Sequence, residues 1–159
     1  LRTAGSSFVT LQLDDGSRIS LPSNSDVTIA RLRKYILGSS IDYDCNGARG
    51  GLNSKVAKTK STNDRYQVRT PKAVSAVRGT EFQSRISETS GSDFAEVVEG
   101  GLDVGLVSGN RMAVAAETGL SVAQNGAVTT ETLMPAPDVA KPRRTPGSTD
   151  HATEESACG

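Results

Sequence analysis

Turn chemistry recurs along this chain at short intervals, and that spacing limits what the chain can build. Asp14-Asp15-Gly16-Ser17, Pro22-Ser23-Asn24-Ser25, Ser90-Gly91-Ser92 and Ser108-Gly109-Asn110 each combine residues that tolerate left-handed backbone or reverse direction locally. Asn125-Gly126 is the strongest two-residue hairpin signal. Between the turns, apolar residues alternate with others: Val9, Leu11 and Leu13, then Ile19 and Leu21, then Leu102, Val104 and Leu106. Met112 with Val114 and Leu120 with Val122 continue the rhythm. A period of two is the mark of half-buried strands. Turns about every eight to ten residues leave room for two or three inward side chains per strand. The expected fold is all-β, a solenoid-like roll or a sandwich of short strands. No repeat is strict, so periodicity leaves these architectures open.

Composition fits that class. The 159 residues make one domain of ordinary size. With 16 glycines, 35% hydrophobic residues, 4% aromatics and no Trp, the core must be thin layers of Val, Leu and Ile. Eighteen Lys and Arg balance 18 Asp and Glu, so net charge gives no reason to expect nucleic acid or an anionic membrane as partner. Aromatics are too sparse for a base-stacking platform. No apolar run approaches the roughly 18 to 20 residues that span a bilayer. A chain that starts at Leu1 without a signal-peptide pattern reads as a fragment or a processed form.

Three regions depart from the rhythm. Residues 27–37 fit either a short amphipathic helix or a strand, and the β-branched, turn-bounded context favours the strand. Residues 38–64 are punctuated by Gly38-Ser39-Ser40, Asn46-Gly47 and Gly50-Gly51, which predicts an irregular insertion. Pro135, Pro137, Pro142 and Pro146 crowd the end of the chain. That end lacks the apolar surface to order itself, so a folded domain over 1–134 and a linker or disordered tail over 135–159 are expected.

The most informative stretch is 69–82, Arg-Thr-Pro-Lys-Ala-Val-Ser-Ala-Val-Arg-Gly-Thr-Glu-Phe. Thr70 precedes proline and is pushed to extended backbone, and Pro71 suits the start of a strand. Alternation through Val77 is interrupted at Gly79 and resumes at Thr80 and Phe82. The chain is therefore expected to bend at Arg78-Gly79-Thr80. In the structural reading Gly79 permits the bend, Thr80 bonds nearby backbone and Arg78 pairs with a carboxylate. In the functional reading the bend is a recognition surface. Glu99-Gly100 carries the same two readings.

This stretch resembles the signature of the FecR domain, a Thr-Pro, small and apolar residues, then Val-Arg-Gly-Thr and an aromatic. Val97-Val98-Glu99-Gly100-Gly101-Leu102-Asp103-Val104 resembles the strand pair that follows it, and Asp14-Asp15-Gly16-Ser17 with Pro22-Ser23-Asn24-Ser25 resembles the family's upstream turns. The resemblance covers roughly residues 5–130. It implies a β-solenoid-like roll and a non-catalytic module of the periplasm or cell envelope with a protein partner. In iron-uptake members, a cytoplasmic anti-sigma segment and one membrane helix precede the domain, and a TonB-dependent outer-membrane receptor signals to it. Leu133-Met134-Pro135-Ala136-Pro137-Asp138 resembles the exit segment of proteins that join a LysM module to a FecR domain. That implies an alternative, a scaffold tethered to peptidoglycan by a module outside this chain.

The remaining chemistry is sparse. Asp42, Asp44 and Asn46, followed by Gly47, fit the first half of a calcium loop, with clustered oxygens and a glycine for the turn. Asn53 stands where the bidentate Glu belongs, so a polar turn is the plainer expectation, and a carbohydrate- or calcium-binding module is the third function class. His151, Cys45 and Cys158 lack metal-ligand spacing. Asp14 with Asp15 and Glu96 with Glu99 are read as turn and surface carboxylates. No phosphate-cradling glycine loop occurs, so no enzyme and no cofactor are expected.

Overall fold

Hairpin turns set the first strands. In the computed structural model, which describes residues 1–37, 40–58 and 61–132, β1 (Val9–Gln12) and β2 (Arg18–Leu21) pair antiparallel. The Asp15 carboxylate closes their turn by accepting from the Ser17 amide at 3.0 Å and the Ser17 hydroxyl at 2.6 Å. β3 (Asp26–Lys34) is a strand throughout, so the helix alternative for 27–37 is not realised. The irregular path expected within 38–64 is not realised over residues 41–55. Residues 41–55 form the longest strand, β4 (Ile41–Lys55).

The glycines of that segment do not end the strand because they let it bend. Residues 41–49 pair with β3, and 42–46 pair on the other side with β5 (Arg65–Arg69). Residues 50–55 pair with β7 (Glu81–Ile86), and 53–55 also with β2. One strand thus belongs to both halves of a twelve-stranded sheet that curves into a half-barrel. β6 (Ala73–Val77), β9 (Gly101–Leu106) and β10 (Arg111–Ala115) extend the first half beyond β5. β8 (Asp93–Glu99), β11 (Thr118–Val122) and β12 (Val128–Thr132) extend the second beyond β7. All pairings are antiparallel except β4 with β5.

Inside the curve, alternate side chains make one core. Tyr43, Tyr66 and Phe82 meet edge to face, with ring centroids 6.1 and 6.5 Å apart. Tyr43 and Tyr66 come from the first half and Phe82 from the second, so this stack ties the halves together. Val27, Val68, Val97 and Val104 are buried around it. Each such side chain contributes about 1.5–3 kcal/mol of burial. Hydroxyls share the interior. Tyr66 Oη and Ser54 Oγ are 3.0 Å apart, which satisfies both where water is excluded. The Pro-rich tail expected over 135–159, with Cys158 and His151, lies outside the described residues.

Candidate functional site

The central motif forms a corner between the two halves. Thr70 and Pro71 sit in the turn between β5 and β6, where the Thr70 amide donates to Ala73 O at 2.8 Å. Strand β6 starts at Ala73, so Pro71 falls in the turn ahead of it, where its fixed φ is suited. The Lys72 amide donates to Asp93 Oδ2 at 2.8 Å and anchors this turn to the one before β8.

Val77 ends β6 and is buried. The chain then crosses at Arg78-Gly79-Thr80 to β7, where Phe82 is fully buried. Gly79 has φ +60°, and a Cβ there would lie 3.1 Å from Lys58 Cα. Thr80 is 1% exposed. Its hydroxyl donates to Gly101 O at 2.6 Å, and its carbonyl accepts from the Val56 amide at 2.9 Å. The return crossing, from β8 to β9, runs through Glu99 and Gly100. Gly100 has φ +91°, and a Cβ there would lie 3.0 Å from both Gly79 O and Thr80 Oγ1. The two motif segments, twenty residues apart in sequence, are therefore packed on each other. Glu99 is exposed at this corner.

Arg78 is exposed. The carboxylate partner expected for it is not found: among the described residues it makes no ion pair. Its position one residue past the Tyr66↔Val77 pair puts it at the rim of a surface cleft of about 530 Å³. Tyr35, Asp42, Arg65 and Asp103 also line that cleft. A second cleft, about 400 Å³, lies between Asn24, Arg49 and Glu88.

Asp42, Asp44 and Asn46 occupy one outer face of β4, opposite the inward Tyr43 and Cys45. They form neither a calcium loop nor a polar turn. Alternate residues on a strand advance by roughly 7 Å, so the first and third ligand stand about 13 Å apart. That separation exceeds what one ion with bonds of about 2.5 Å can gather. The face is instead an ion-pair network. Arg69 Nε lies 3.1 Å from Asp44 Oδ1, Arg31 Nη2 lies 3.4 Å from Asp44 Oδ2, and Arg31 Nη1 lies 3.1 Å from Asp42 Oδ2. Asp44 is buried beneath the two guanidiniums. No group of three or more His, Cys, Asp or Glu that could hold a metal occurs among the described residues.

Sequence reasoning missed Arg31 and Arg69 because they reach Asp44 from 13 and 25 residues away, with no local signal. Inside the sheet, burial pushes the Cys45 thiol up to about 11, with the Asp44 charge adding to it. Burial also raises Tyr66, against the opposing hydrogen bond from Ser54. A thiol so held is a poor nucleophile.

The model of the family described as FecR protein matches residues 1–103, a span that holds both motif segments and β4. The chain belongs to the FecR family. FecR domains are non-catalytic and are found in the periplasm or cell envelope. Two crystal structures of a candidate anti-sigma factor from Parabacteroides distasonis, at 1.65 and 2.50 Å resolution, share the fold. Each superposes with a TM-score of 0.67 at 16% identity, over 84% of this FecR chain and 59% of that protein. The chain thus spans less than two thirds of the length of its structural relative. Comparison with curated proteins finds no match. Among the described residues, no helix is long and apolar enough to cross a membrane.

Proposed function

We propose that this FecR domain is an interaction module of cell-envelope signalling that meets a protein partner on the outer side of the 78–80 corner. The observation that carries the reading is the division of labour within the motif. Val77, Thr80 and Phe82 are buried, and Gly79 and Gly100 are committed to the corner backbone. Arg78, the one cation between 77 and 82, faces solvent, with no ion pair among the described residues. An unpaired arginine at a cleft rim has the reach and the fork geometry for carboxylates on another protein. The description of the Parabacteroides relative as a candidate anti-sigma factor supports signalling, and iron-uptake-type signal transduction is its family-level form. The core contacts across the curve support reading the half-barrel as a β roll whose outer face is available to a partner.

The test is photo-cross-linking in the periplasm from a reactive residue placed at position 78. It is paired with co-sedimentation of the purified chain with isolated peptidoglycan. One discrete envelope-protein adduct is expected, competed by the parent domain and not by Arg78→Glu. An absence of any adduct, together with sedimentation on peptidoglycan, overturns the reading in favour of the scaffold beside a LysM module.

A further inference from the structure

The end of the β3–β4 hairpin carries a surface that the fold does not use. Arg33, Lys34, Tyr35, Ile36 and Leu37 are consecutive and all exposed. Ile36 is 96% exposed and Leu37 94%. Single exposed aliphatics are ordinary, but three successive large apolar or aromatic side chains at an apex call for a function. The Tyr35 amide donates to Ser40 O at 2.8 Å, which closes the hairpin and leaves Ile36 and Leu37 outside it.

Cations ring this apex. Arg33 and Lys34 make no ion pair among the described residues. Arg65, in register with Asp42 on the neighbouring strand, is exposed and likewise without an ion pair. The nearest carboxylates already have partners. Asp42 Oδ2 is held by Arg31, and Asp64 accepts from the Ile41 and Ser61 amides at 3.0 Å each. The whole-chain charge of zero conceals this cluster because Glu96, Glu99, Glu117 and Glu131 lie on strands and turns of β8 to β12.

We propose that this apex docks on an anionic phospholipid surface. Ile36 and Leu37 enter the acyl boundary, Tyr35 lies at headgroup level, and Arg33, Lys34 and Arg65 face lipid phosphates. The chemistry matches an interface in which apolar residues, a flanking aromatic and basic side chains act together. Charge decides for lipid over protein. Arg33, Lys34 and Arg65 are exposed cations without an ion pair among the described residues, beside the exposed Ile36 and Leu37. That combination complements an anionic interface with an apolar interior. The envelope compartment is bounded by membranes, so the surface is at hand. Tyr35 and Arg65 also line the cleft at whose rim Arg78 stands, so this surface adjoins the one proposed for the protein partner.

Flotation of the full chain tests this with vesicles of phosphatidylcholine and phosphatidylglycerol in equal parts, against phosphatidylcholine alone. Co-flotation with the mixed vesicles only, reversed by high salt, is expected. Ile36→Asp and Leu37→Asp should each weaken it about tenfold or more. Arg33→Gln with Lys34→Gln should weaken it about thirtyfold. These side chains are exposed, so melting midpoints should stay at the parent value, with Ile36→Ser as the second variant if an aspartate lowers it. A chain that stays with the pellet, or an aspartate variant that floats like the parent, overturns the proposal.

Discussion

Replacing Gly100 by alanine isolates the contact between the two motif segments, because Gly109 supplies a matched control. The two glycines have nearly the same φ, +91° and +94°. Alanine at either pays a left-handed penalty of about 1 kcal/mol. Beyond that they differ. A Cβ at 109 meets nothing within 4 Å, whereas one at 100 lies 3.0 Å from Gly79 O and Thr80 Oγ1 and 3.1 Å from Thr80 Cα. Relief requires Thr80 to move, and Thr80 is buried with its hydroxyl bonded to Gly101 O at 2.6 Å. Crowding and the weakened hydrogen bond together add about 2 kcal/mol. Gly109→Ala should therefore cost about 1 kcal/mol and Gly100→Ala about 3 kcal/mol. Urea unfolding measures both, with the midpoint moving and the slope unchanged. For a chain of this size the difference between the variants is roughly 4–8 °C in Tm. Equal losses would refute the claim that the corner is held by packing of Gly100 on Gly79 and Thr80.

Three further outcomes follow from the outer face and the core. Arg69→Met leaves buried Asp44 with Arg31 alone and should cost about 2 kcal/mol in urea unfolding, while Arg49→Met, at an exposed pair with Glu88, should cost under about 1 kcal/mol. Cys45 is pushed from 9.0 to about 11, so the folded state keeps a proton that the unfolded chain releases. That contribution is fully present below pH 9 and lost as pH rises to about 11, roughly 2 kcal/mol; Cys45→Ala should flatten this part of the stability–pH profile. Tyr66 is shifted in the same direction and extends the decline to higher pH. Millimolar calcium should leave the thermal midpoint where a chelator leaves it, and a clear rise would show a native-state ion site that the Asp44 network does not provide.

The strands from Arg65 to Val122 were legible because nearly every one alternates between turns of ordinary chemistry, and the bend at Gly79 announced itself by breaking that alternation. β4 was illegible for the opposite reason. Its Gly47, Gly50 and Gly51 and its Asp and Asn residues are poor strand formers, and pairing on both edges overrides that local preference. Ser54, Ser75 and Ser84 are buried although their chemistry reads as surface, so the inward face of β6 was not distinguished from the outward one by type alone. The corner between Gly79 and Gly100 and the Asp44 ion pairs are contacts between distant segments. Such contacts leave no mark in a local pattern, and whole-chain charge averaged away the cationic hairpin apex.

The sharing of β4 between both halves has a kinetic side. Hairpins such as β1–β2, β5–β6 and β7–β8 close from neighbouring residues, but the second half of β4 is complete only when it lies between β2 and β7. Chains dominated by such distant pairings fold in milliseconds to seconds rather than microseconds. Until β4 is seated, the local hairpins have no common strand to pair against, and their open edges are exposed to other chains. The seating of this single strand is thus the step expected to limit folding, and a glycine replaced there should be felt in the rate of folding as well as in the final stability.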